Sequence, residues 1–175
     1  MLTEPLPSTL DVRKAAARGV SVSGTLKPVQ LPRFQAMLAS EEGHIEAELT
    51  CFRDEERQAV IELRYQASVS VVCQRCLQPM PLEMSGETSL GIVWTDEQAK
   101  HLPRHLDPLI APEEGCDLWE LVEDELILAL PPFSYHDIED CNQTLSDYTG
   151  PGPEEEAGDS KPNPFDVLAQ LKTDD

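Results

Sequence analysis

An α+β fold built on an antiparallel meander sheet, with a curl towards a partial barrel and a few packing helices, is what this chain predicts. Three observations carry that expectation. Residues 44–51 and 59–65 alternate apolar and polar side chains and are joined by the polar turn Asp54-Glu-Glu-Arg57, the two-residue period of half-buried strands. Similar alternation recurs at Val20–Leu26, Ala67–Cys73 and Leu82–Trp94, so short strands follow one another with little between them. One amphipathic segment, Asp117–Leu130, reads as a helix long enough to cover a sheet face. The length of 175 residues suits one domain with tails, taken as residues 1–145, an acidic Pro/Gly linker at 146–160 and a short C-terminal docking helix at 161–175.

The elements follow in order. Asp11 can accept from the free amides of a first helical turn, Ala15–Ala17 favour helix, and Gly19 can close it. Arg13, Lys14 and Arg18 then form a basic cluster that is either a solvated helix face or an RNA contact. Leu31, Phe34, Met37 and Leu38 make one helical stripe behind Pro32, expected in the core. In the strands, Ile45, Ala47, Leu49 and Cys51 share one face, as do Val69, Val71 and Cys73, and Cys51 reads as a small buried residue. Pro79 and Pro81 predict a break before the next strands. A short helix from Asp96 ends at Pro103, with His101 and His105 read as surface residues, and residues 105–112 read as extended or irregular.

Asp117 is placed to cap the long helix, with Glu120 three residues on. Its last turn, Leu126–Leu130, is apolar all round and expected to be buried before Pro131-Pro132 ends it. Glu120, Glu123 and Asp124 predict a solvated or partner-facing acidic face. Consecutive residues turn by about 100° each around a helix, so Glu123, Asp124 and Glu125 cannot converge on one substrate. Residues 149–159 are too polar and Pro/Gly-rich to order themselves. Asn163 and Pro164 then open a helix whose Phe165, Leu168 and Leu171 stripe, marginal alone, must dock on something.

The formal charge is −20, and residues 96–175 hold twenty-one acidic against four basic residues. A body this acidic repels polyanions at long range and favours a basic partner such as a ribosomal protein. No apolar run reaches membrane-spanning length, and residues 1–7 lack the basic and apolar pattern of a secretory leader. Five cysteines, an odd number, suit reduced thiols in a cytoplasmic location.

Two of these cysteines, Cys73 and Cys76, sit two residues apart at a strand end, where both thiols can point at one centre. His136 and Cys141 complete a possible set of three thiolates and one imidazole, apt for structural zinc. The spacing is unusual, since fifty-nine residues lie between Cys76 and His136. Plain reduced thiols therefore stand beside zinc as a reading. A redox pair is disfavoured because the motif does not open a helix in a βαβ unit. No phosphate loop, metalloprotease helix or nucleophile elbow is present.

Four stretches together resemble one family. Val72-Cys-Gln-Arg-Cys76, Val122-Glu-Asp-Glu-Leu-Ile-Leu-Ala-Leu-Pro131, His136-Asp137 with Cys141, and Lys161-Pro-Asn-Pro-Phe165 followed by Val167-Leu168 are similar, in order, to the bacterial YceD family of large ribosomal RNA subunit accumulation proteins. The resemblance implies a non-enzymatic factor that supports synthesis, processing or stability of large-subunit ribosomal RNA, and it brings no catalytic residues. A large-subunit ribosomal protein or assembly factor is then the expected partner, with no membrane and no small-molecule substrate; whether ribosomal RNA is touched directly stays open, and Arg13, Lys14 and Arg18 are the candidates for such a contact. The rival readings are a metal-assisted hydrolase or nuclease and an acidic adaptor acting outside the ribosome.

Overall fold

The computed structural model of the chain describes residues 4–111, 115–137 and 141; the linker and docking helix expected at 146–175 lie outside them. Strand β1 (Thr9–Leu10) leads into helix α1 (Val12–Arg18) and strand β2 (Ser21–Leu26). A 3-10 turn at Pro28–Gln30 and the short helix α2 (Pro32–Gln35) follow. Three long strands come next, β3 (His44–Arg53), β4 (Ala59–Val72) and β5 (Pro79–Val93). Helix α3 (Asp96–Ala99), strands β6 (Asp107–Ile110) and β7 (Cys116–Asp117) and helix α4 (Leu118–Ala129) complete the domain.

The main sheet has the order β2-β3-β4-β5-β6, antiparallel from β2 to β5, with β6 added parallel to β5. It is an α+β meander as the alternation predicts. The sheet is not closed into a barrel: β2 and β6 remain its edges. Strands β1 and β7 pair separately. No described helix is long and apolar enough to cross a membrane.

Register explains the core. Leu49 faces Leu63 and Cys51 faces Ile61, while Ile61 faces Leu90, so alternate side chains of three strands stack on one face. Tyr65 lies opposite Gly86, where a Cβ would run into the phenol ring; only glycine leaves room for it. Helix α1 covers this face with Val12, Ala15 and Ala16, capped by the Asp11 carboxylate on the Lys14 amide and by Gly19 in the left-handed region. Helix α4 adds Leu118, Leu121, Val122 and Leu126, with Asp117 accepting from the amides of Trp119 and Glu120.

Three local expectations are corrected. Pro79 and Pro81 do not break the chain but begin β5, because up to Ser89 its far side has no neighbour in the sheet and an absent N–H costs no ladder bond there. Helix α2 stops at Gln35, leaving Met37 52% exposed rather than in the core. At the end of α4, Leu128 is 79% exposed although Leu126 is fully buried, since only one side of that turn meets the sheet.

Helix α2 is held from a distance. Leu31 offers no side-chain oxygen as a cap and Pro32 has no amide, so the free donors of the first turn are those of Arg33 and Phe34. Both donate to Glu123 Oε1, at 2.7 and 3.1 Å, and Arg33 Nε donates to Glu123 Oε2 at 2.8 Å. Replacing Glu123 by alanine leaves two amides and a guanidinium without their acceptor and is expected to cost about 2–4 kcal/mol. Asp124→Ala, which loses an exposed pair with Arg33, should cost less than about 1 kcal/mol. Urea unfolding of the two variants measures the difference.

Candidate functional site

The hairpin between β4 and β5 turns through Cys73–Gln78. The Cys73 amide donates to the Gln78 carbonyl at 2.9 Å and the Leu77 amide to the Cys73 carbonyl at 2.8 Å. Leu77 occupies the left-handed region with φ 58°, a conformation that disfavours a branched side chain and that this tight turn imposes. Such a turn aims both thiols at one point. After α4 the chain returns to the hairpin tip, where the Gln74 amide donates to the Ser134 carbonyl at 2.9 Å.

That return brings up His136. Its backbone amide donates to Cys73 Sγ at 3.4 Å, and its ring Nδ1 lies 3.3 Å from Cys76 Sγ. Nε2 lies 3.2 Å from the Pro79 carbonyl, which can accept only from a protonated Nε2 and so leaves the Nδ1 lone pair facing the thiols. With Cys141, the four donor atoms lie within 4.8 Å of one another. Tetrahedral zinc at its usual bond lengths sets its sulfurs about 3.8 Å apart, so the set needs only a small contraction to fit. Cys73, Cys76 and Cys141 are all buried, and Met80 packs against them. Four protein donors, three of them buried, make a site that can hold a metal.

The thiols differ in charge. Burial of Cys73 favours its neutral form, but the amides of Cys76, His136 and Arg75 and the Cys76 thiol outweigh it and bring Cys73 down to about 5. Burial raises Cys76, and its bonds to the Cys73 and Cys141 sulfurs raise it further. Cys73 therefore gives up its proton far more readily than Cys76. The tip also carries an apolar rim: Leu77 is 67% exposed and Phe133 65%, while the Arg75 guanidinium lies 5.4 Å over the Tyr135 ring. Nothing in the periodicity of the sequence marks Ser134 or Tyr135 as neighbours of the motif.

The other residues singled out by sequence do not converge. Arg13 lies flat on Trp94, 3.4 Å from the ring centroid, and Lys14 pairs with Asp11 at 2.8 Å. Arg18 is exposed, with no ion pair among the described residues. On α4, Glu120 and Asp124 face outward, but Glu123 is 4% exposed and committed to α2, so it does not face a partner. Cys51 is a core thiol as expected, with burial pushing it up to about 11.

Fold and site together define an α+β protein built on an open five-stranded sheet, with a cysteine–histidine cluster at one hairpin tip. The chain belongs to the YceD family: the family model described as "Large ribosomal RNA subunit accumulation protein YceD" matches residues 61–172. A Haemophilus influenzae protein of that same description is 36% identical over 169 residues, covering 95% of this chain and 96% of that one. No solved structure matches the chain.

A depressed thiol sets a pH dependence. In the metal-free chain, Cys73 is a thiolate when folded and a thiol when unfolded between about pH 5 and its ordinary value near 9. The unfolded state binds more protons there, so stability should rise with pH through that window and be lost as pH falls through 5. Chelator-treated protein unfolded in urea at several pH values tests it, and Cys73→Ser should flatten the rise.

Proposed function

We propose that this chain is a ribosome-biogenesis factor that supports synthesis, processing or stability of large-subunit ribosomal RNA, acting by binding in the cytoplasm and not by catalysis. Membership of the YceD family carries the reading, supported by the description of the Haemophilus influenzae relative as a large ribosomal RNA subunit accumulation protein. Charge supports the kind of partner: the acidic surface, with Glu120 and Asp124 outward on α4, suits a basic large-subunit protein or assembly factor. Arg18 is the residue of the α1 cluster left available for a local RNA contact.

The cysteine–histidine cluster holds structural zinc in this reading. Cys73, Cys76, His136 and Cys141 supply the donors, and a set of four supports a structural role over hydrolysis, which needs an open position for water. The metal would fasten the segment after α4 to the hairpin tip and so present the Leu77, Phe133 and Tyr135 rim as one surface.

Protein purified without chelator should carry about one zinc per chain, and Cys76→Ser or His136→Ala should lower both zinc content and melting temperature. Zinc below about a tenth of an equivalent would remove the metal from the account. In a lysate gradient the native chain should co-migrate with large-subunit precursor particles, and Glu120→Lys with Asp124→Lys should shift it towards the top. Sedimentation entirely apart from ribosomal material would overturn the function proposed.

A further inference from the structure

At the end of the sheet opposite the hairpin tip, Arg53 and Arg57 flank Asp54, Glu55 and Glu56 yet form no ion pair among the described residues. There β3 finishes at Arg53, the chain turns through Asp54–Gln58, and β5 delivers Trp94 beside them. A cavity of about 500 Å³ is lined by Arg53, Arg57, Trp94, Gln98, His101 and the carboxylate-bearing Glu56, among others. Neither Arg53 nor Arg57 has a carboxylate partner among the described residues, whereas Lys14, Arg33, Arg64 and Lys100 each do. Arg53 Nη1 donates only to the Arg57 carbonyl, at 3.3 Å.

The turn itself argues that Arg57 is kept for its side chain. Its amide donates to the Asp54 carbonyl at 3.0 Å, the Asp54 carboxylate accepts from the Gln58 amide at 2.8 Å, and Arg57 takes φ 64°. That is the left-handed region, where glycine or asparagine sits at lower cost. Trp94 is 38% exposed, clamped by Arg13 on its ring and by the bond from its own amide to Gln98 Oε1 at 2.9 Å. An indole fixed in place beside unpaired guanidiniums is the chemistry that grips single-stranded nucleic acid, by stacking on the base and pairing with the phosphate.

We propose that this cavity binds single-stranded RNA, with a base stacked against Trp94 and the flanking phosphates on Arg53 and Arg57. The proposal deepens the reading above by giving the chain a direct RNA contact, at a place that borders the α1 cluster through Arg13. An acidic body around a small basic cavity keeps the contact local and steeply dependent on salt.

The experiment is fluorescence anisotropy of a dye-labelled single-stranded oligoadenylate titrated with the full chain at low and physiological salt. The native chain should bind more weakly as salt rises. Arg57→Gly should lose about tenfold in affinity and flatten the salt slope by about one, while its melting temperature holds or rises because glycine accepts the turn's φ. Arg53→Gln should weaken binding similarly, and Trp94→Phe should bind better than Trp94→Leu. Arg64→Ala, on a residue already paired with Glu87, should bind as the native chain does. Absence of RNA binding by the native chain, native affinity in Arg57→Gly, or equal losses in Arg57→Gly and Arg64→Ala would each overturn the site. Co-migration of the native chain with precursor particles, alongside any of those results, would leave the wider function standing.

Discussion

The pairing of β4 with β5 is the constraint on which everything else rests. It runs unbroken from Val60 opposite Gly91 to Val72 opposite Pro79, and so fixes two ends at once. At one end the strands can only close through a tight turn, which aims the thiols of Cys73 and Cys76 together and forces Leu77 into a left-handed backbone. At the other, the same ladder delivers Trp94 beside the Arg53–Arg57 turn. A slip of one residue would turn Leu63 and Tyr65 outward and separate both assemblies.

Charge is distributed with similar economy. The chain is strongly acidic, yet the buried carboxylate, Glu123, is committed inside to α2, and Lys14, Arg33, Arg64 and Lys100 are paired with acids. Against the broad acidic surface stand local basic features, among them the Arg75–Tyr135 contact at the cysteine tip, the arginines around Trp94 and the exposed Arg18. Such a pattern suits a factor that meets basic protein over a wide face and nucleic acid at one point.

The cysteine–histidine cluster and the Glu123 cap share a physical logic. Each ties a late segment of the chain to an early one through a few directed bonds where little apolar area is available. Phe34 and Leu126 contribute burial on the α2–α4 side, but α2 is too short to hold its own first turn, and a carboxylate from α4 does it. At the hairpin tip Cys141 and Ser134 are the buried ones among the described residues after α4, so directed bonds to sulfur and backbone do the holding.

Much of the fold was legible in the sequence. Alternation at Ile45–Cys51 identified β3 and its buried face, Asp11 with Gly19 bounded α1, and Asp117 began α4, because each of these signals is written within a few neighbouring residues, whereas the two strands read at Ala59–Tyr65 and Ala67–Cys73 are one continuous strand, β4. The same locality misled where context ruled: Pro79 and Pro81 read as a break until β5 proved to have an open side, and Glu123 read as surface until α2 packed against it. By itself the sequence determined which side chains could serve as metal donors and which strands could exist. Only the tertiary structure decided that His136 meets Cys76 and that Glu123 meets Arg33, since contacts across sixty and ninety residues depend on how whole faces pack and leave no local period to read.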